Sequence, residues 1–249
     1  ALMSNTTGDY NTAIGYFALK GTTTGIRNTA VGANVLAGNT IGTDNTAVGV
    51  NSLYSNTIGN YNTAVGFGSL HLNVSGDQNT AFGRHALYYN TTGVNNTAVG
   101  FEALYSNTTG INNVAIGYAL RSNTTGTNNS GIGMYALHSN TFGINNVGVG
   151  NLTLYSNSTG TDNIAIGANV LYANGFSNHN IGLGYFALRN TTNSDGNVAI
   201  GNMAMGNNTT GYGIAIGYWA MYYNTIGNGI ALGSAALLSN TTGVSNIGI

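Results

Sequence analysis

The chain has 249 residues, 39 of them Gly, with no Pro, no Cys and a formal net charge of −1. Charged residues are 4%, against about 25% in an ordinary globular domain, which excludes an electrostatic footprint for nucleic acid or anionic membrane. Without Cys there is no disulfide framework or thiolate metal site, and no apolar run approaches the roughly 20 residues of a membrane helix.

The polar, Gly-rich composition would suit disorder. The 42% hydrophobic content opposes that, because the apolar residues recur at fixed positions. The phrase Asn-Thr-Ala-Val-Gly and its variants returns along the whole chain, its Gly standing at 15, 32, 49, 66, 83, 100, 117, 133, 150, 167, 184, 201, 217 and 233. Steps are 17 residues except for three of 16, from 117 to 133, 201 to 217 and 217 to 233. The chain opens on Ala1-Leu2-Met3 and stops at Ile249, both in mid-repeat, as expected of a piece of a longer protein.

One unit, Asn96 to Asn112, defines positions 1 to 17. Positions 1 to 4 predict a first strand, with β-branched residues at 2 and 4. Gly100 at position 5 ends it, as do Gly15, Gly32, Gly49, Gly66 and Gly117 in their units, at a site needing positive φ or a close backbone approach. Positions 7 to 10 predict a second strand, carrying Leu or Met at position 9. The Asn-Thr-Thr-Gly turn then reverses the chain, its Gly supplying a left-handed residue.

Seventeen residues are too few for a helical repeat of about 34. They suit one coil of a parallel β-solenoid (a β-roll or β-helix), with about fourteen coils forming a single array over residues 1–249. Strand alternation predicts a core of positions 2 and 4 from the first strand, the latter as Val99 and Ile116, and of position 9, as Leu19, Leu36, Leu53, Leu87, Leu104 and Leu137. Position 1 supplies an Asn ladder, including Asn28, Asn45, Asn62, Asn96 and Asn113, and position 12 a second Asn column. Asn90, Asn107 and Asn240 at position 12 also match the glycan-acceptor pattern, read chiefly as a by-product of composition. Positions 3 and 8, almost always Ala, Gly or Ser, are expected to face outward and pack against another chain.

Chemistry is sparse. The four His and six acidic residues are scattered along the array, so no catalytic, cofactor or metal site is expected and the chain is read as a non-enzyme. Tyr54, Tyr88, Tyr105, Tyr155 and Tyr172 form an interrupted column at position 10, a possible contact surface for sugars. A Thr column at position 13, from Thr6 to Thr241, raises ice binding as the alternative function, although it lies in a turn.

The unit at 96–110 resembles repeats in the shafts of phage and giant-virus tail fibres and related bacterial surface fibres. Asn113-Val114-Ala115-Ile116-Gly117 is similar to the head repeat of trimeric autotransporter adhesins. The resemblance implies a β-roll wound as a homotrimer, in an extracellular, cell-surface or virion-borne fibre that projects or adheres. The implied partners are the chain itself, as homotrimer or filament, and host or cell-surface glycans. No nucleic acid and no membrane insertion are expected.

Overall fold

A computed structural model describes residues 1–249. The protein is all-β, a parallel β-solenoid, and divides into two compact units, Ala1–Thr125 and Gly126–Ile249. The first holds seven strands, from Thr12–Ile14 to Val114–Ile116, and the second eight, from Ser130–Ile132 to Asn246–Gly248. Within each unit successive strands pair in parallel without slippage; Thr46, Ala47 and Val48 face Thr63, Ala64 and Val65. A register set by identical residues stacks every position of the repeat into a column.

Each coil contains one strand, not two. The expected second strand is replaced by a tight turn in which positions 7 and 9 take left-handed backbone, as in Glu102 (φ 50) and Leu104 (φ 50). In a strand, neighbours at 8 and 9 would face opposite ways. The left-handed residues on either side of position 8 turn both inward, so Ala103 and Leu104 are equally buried. This turn is still bonded coil to coil: Glu102 N–H donates to the Arg84 carbonyl (3.0 Å), and Leu53 N–H to that of Ser69 (2.9 Å). Position 17 is left-handed as well, as in Asp44 (φ 57) and Asn112 (φ 57).

The strand shows the face opposite to the one expected. Leu19, Leu36, Leu53, Leu87, Leu104 and Leu137 fill the core, but their strand partner is position 3: Ala30, Ala47, Ala64 and Ala98 are fully buried. Val99 and Ile116, placed in the core by sequence, retain 36% and 41% of their surface. The reason is thickness. The Leu column presses directly on the strand, so only a methyl group or less fits beneath it. A Cβ at Gly148 would meet the Leu137 side chain at 3.3 Å, and one at Gly182 would meet the bulkier position-8 residue Val170 at 2.5 Å. Positions 3 and 8 are therefore small because they line the interior, not because they meet another chain.

The invariant glycine of position 5 and the near-invariant one of position 15, replaced by Ser177 and Ser194 in two coils, lie where coils approach most closely. At position 5, Gly66 has φ 131, open to Gly alone, and a Cβ there would lie 2.6 Å from the Gly83 carbonyl oxygen of the next coil. At position 15 the φ is not positive, contrary to the turn reading. Contact is again the reason, since a Cβ on Gly59 would lie 2.6 Å from the Gly76 carbonyl oxygen. The inverted strand face yields a paired expectation. Ala98→Leu should overpack the interior and destabilise by about 2 kcal/mol or more, whereas Val99→Thr should stay within about 0.5–1 kcal/mol. Urea unfolding followed by circular dichroism measures both, and equal losses would mean the strand has been oriented wrongly.

Candidate functional site

The most ordered polar feature lies inside the coils. Asn28, Asn45, Asn62, Asn96 and Asn113 are buried at position 1. Asn45 Nδ2 donates to Asn28 Oδ1 (3.1 Å) and to the Gly59 carbonyl (2.8 Å); its own Oδ1 accepts from the Asn62 backbone N–H (2.9 Å) and Nδ2 (3.1 Å). All four amide valences are thereby used. The position-12 column runs beside it: Asn56 Nδ2 donates to Asn39 Oδ1 (2.9 Å) and to the same Gly59 carbonyl (2.9 Å). The two ladders thus meet at the position-15 carbonyl. Asn90 and Asn107 are wholly buried in this network, so the folded stack offers no glycan attachment at either.

The Thr column is also bonded along the stack. Thr40 Oγ1 donates to the Thr57 carbonyl (2.9 Å), and Thr91 and Thr108 donate likewise to the coil that follows (3.0 Å each). Those hydroxyl protons point at protein backbone rather than into solvent.

Position 10 carries an extended row of stacked side chains in each unit. In the first unit the rings of Tyr54, His71, Tyr88 and Tyr105 stack in sequence, with centroids 5.2, 4.9 and 5.6 Å apart and interplanar angles of 11°, 10° and 23°. Arg121 closes the run, its guanidinium 5.0 Å from the Tyr105 centroid. The second unit repeats the device with His138, Tyr155 and Tyr172 at 5.3 and 5.2 Å, closed by Arg189 over Tyr172 at 5.6 Å. Stacked rings cover one another's faces, so the inner tyrosines present edges to solvent.

Residues at position 7, which sequence reading did not single out, lean on this column. His85 meets Tyr88 edge-on at 5.0 Å, and Trp219 stacks on Tyr222 at 5.0 Å. Their signal was the recurrence of aromatics three residues before position 10. Burial, aided by the neighbouring Arg84, holds the His85 imidazole below the ordinary histidine pKa, favouring its neutral form.

The ionisable groups form pairs rather than a reaction centre. Glu102 accepts from Arg121 Nε at 2.7 Å, and that bond holds the arginine above its ordinary pKa. Asp44 binds Arg27 at 2.6 Å, and the bond from Arg27 holds its carboxyl below the usual range. His179 and Asp162 lie 3.6 Å apart on the surface. No group of three His, Cys, Asp or Glu residues is placed to hold a metal ion. No helix is long and apolar enough to cross a membrane.

No protein-family model, curated protein or solved structure matches the chain.

The ladder generates a test where it breaks. Thr191 occupies position 12 between Asn174 and Asn208, and both Asn174 Oδ1 and Thr191 Oγ1 are buried without a partner. Thr191→Asn would return an amide donor to Asn174 Oδ1. It should stabilise the protein by about 1–2 kcal/mol, raising Tm by about 2–6 °C. Scanning calorimetry against Thr191→Ser, which should bring no such gain, checks it.

Proposed function

We propose that the protein is a segment of a structural fibre, working as shaft or adhesin at a cell or virion surface, and that copies of the chain associate in parallel as a homotrimer. The observation that carries this reading is the exposed apolar stripe on the strand face. Position 4 presents Ile14, Val48, Phe82, Val99 and Ile116 outward in the first unit and Ile132, Ile166 and Ile200 in the second, each with more than a third of its surface uncovered. Position 6 adds Phe67 (48%) and Phe101 (50%) beside it. Contiguous exposed apolar surface on this scale marks an interaction site.

A second copy of the same chain is the fitting occupant. The stripe repeats at the strand spacing of about 4.8 Å, and a surface of β-branched residues with that period is matched row for row by one with the same period. The low charge fits as well, because copies with few like charges meet without repulsion. Self-association thus moves from positions 3 and 8 to positions 4 and 6. The absence of assembled catalytic geometry among the ionisable groups is compatible with a structural role. The ice-binding alternative draws little from the Thr column, whose hydroxyl protons are bonded along the stack.

Sedimentation equilibrium tests the assembly. The 25.5 kDa chain should sediment as a trimer of roughly three times that mass. The triple variant Val48→Lys, Val99→Lys, Ile116→Lys should sediment as a folded monomer, since three buried unpaired charges in an apolar interface are strongly unfavourable. A wild-type monomer with the strand face open to water would overturn the proposal.

A further inference from the structure

The stacked aromatic run of the first unit begins at Tyr54, and the coils before it carry Ala37 and Lys20 at position 10. Position 11 beside Ala37 is Gly38. Where consecutive coils carry rings, their centroids lie 4.9–5.6 Å apart. Skipping one coil leaves about 10 Å between the Tyr54 ring and the level of Lys20, two strand spacings away. That is room for one ring at the column's own spacing. His71 covers one face of Tyr54 and nothing stacks on the other, which leaves Tyr54 41% exposed while Tyr88 and Tyr105 are half-buried.

The vacancy is an open cleft of about 420 Å³, within the roughly 300–1,000 Å³ of ligand sites. Tyr54 forms its floor. Lys20 stands at the opposite side with its ammonium 4.4 Å from the Phe17 ring centroid, and Asn34 and Ser55 supply polar walls. A comparable gap in the second unit has been closed. Gly206 occupies position 10 there, but the Tyr222 ring folds across it, with ring atoms 2.6 and 2.9 Å from where a Cβ would stand. Gly206 is buried as a result, whereas Ala37 remains partly open.

We propose that the Ala37 vacancy is a binding slot for a single pyranose ring bearing a carboxylate, such as a uronic acid at the end of a glycan. The apolar face of the sugar lies on the free face of Tyr54, as an aromatic surface favours. The carboxylate pairs with the Lys20 ammonium, and ring hydroxyls bond to Asn34 and Ser55. Two features select this ligand: the single cation at one side of the cleft, and polar walls that a purely aromatic ring would leave unsatisfied. The inference deepens the adhesive part of the proposed function and rests on it. The oligomeric state, which tests the shaft, is measured separately, so failure of one is distinguishable from failure of the other.

Ligand-observed NMR titration of the intact chain with glucuronic acid, methyl glucoside and benzoate tests the slot. Glucuronic acid should bind the wild type. Ala37→Tyr extends the stacked run by one ring, using the residue that position 10 carries in the following coil; it should keep the wild-type melting temperature and weaken glucuronic acid binding at least tenfold. Tyr54→Leu, which removes the floor, should weaken it comparably and gives a second reading should Ala37→Tyr not fold. Lys20→Met should weaken glucuronic acid binding by about tenfold and leave methyl glucoside unchanged. Glucuronic acid binding unaffected by Ala37→Tyr or by Tyr54→Leu, or absent from the wild type, would overturn the proposal. Benzoate binding with both sugars silent would overturn the carbohydrate assignment.

Discussion

Close approach of backbone to backbone at the position-5 glycine column is the constraint from which the rest of the structure follows. At position 5, and at position 15 where it is Gly, the next coil's carbonyl oxygen occupies the place a Cβ would take, although Ser177 and Ser194 accommodate a Cβ at position 15. Coils can therefore close to strand spacing along the strand, the turn at 7 to 9 and the Asn-Thr-Thr-Gly turn alike. Once they do, every column becomes a vertical row of identical groups about 4.8 Å apart. That spacing suits an amide handing its proton to the amide before it, a threonine bonding the next carbonyl, and an aromatic ring lying on its neighbour. Three chemically different ladders thus share one geometric cause. Stability of this kind belongs to the stack rather than the coil, as in other quasi-one-dimensional proteins.

The same close stacking offsets a recurrent backbone penalty. Every coil places its core leucine in the left-handed region, from Leu19 (φ 49) to Leu188 (φ 50), where an L-residue costs about 1–2 kcal/mol. Left-handed residues at positions 7 and 17 add to it. What is gained is a turn tight enough to bury positions 8 and 9 together, with its backbone still bonded to the coils on either side. The 16-residue coils relieve some of the strain. Gly117 to Gly133 omits the left-handed position 7, and the coils ending at Gly217 and Gly233 contain no left-handed residue between positions 15 and 1. Loss of one residue is tolerated where it removes an unfavourable conformer.

This division explains what could be read from the sequence. The period, the solenoid, the Leu core and the need for Gly at position 5 were legible because each column repeats one residue type. Strand orientation was not. Val99 and Ile116 are larger and more apolar than Ala98 and Ala115, and burial usually follows size; what reverses the order is the space already taken by Leu104 and its neighbours, a property of the cross-section. The turn at 7 to 9 was hidden for a related reason, since Leu and Glu carry no local signal for left-handed backbone. Composition did reveal the aromatic column. Its face-to-face stacking depends on coil spacing, and with it the meaning of Ala37, which reads in sequence as one more small residue and in the folded column as the open level between Tyr54 and Lys20. The outward strand face and that vacancy are the two surfaces the stack leaves unfinished, one repeated along it and one local.

The account depends most directly on the claim that coil spacing is limited by glycine backbone contact. Urea unfolding of Gly66→Ala beside Gly175→Ala measures it. A Cβ at Gly66 meets the Gly83 carbonyl oxygen at 2.6 Å on a φ of 131, whereas nothing lies within 4 Å of one at Gly175. Gly66→Ala should lose more than about 2 kcal/mol, and Gly175→Ala should be neutral or gain up to about 1 kcal/mol. Equal effects of the two substitutions would contradict the account, because the stack would then tolerate a methyl group where its coils are held to be in contact.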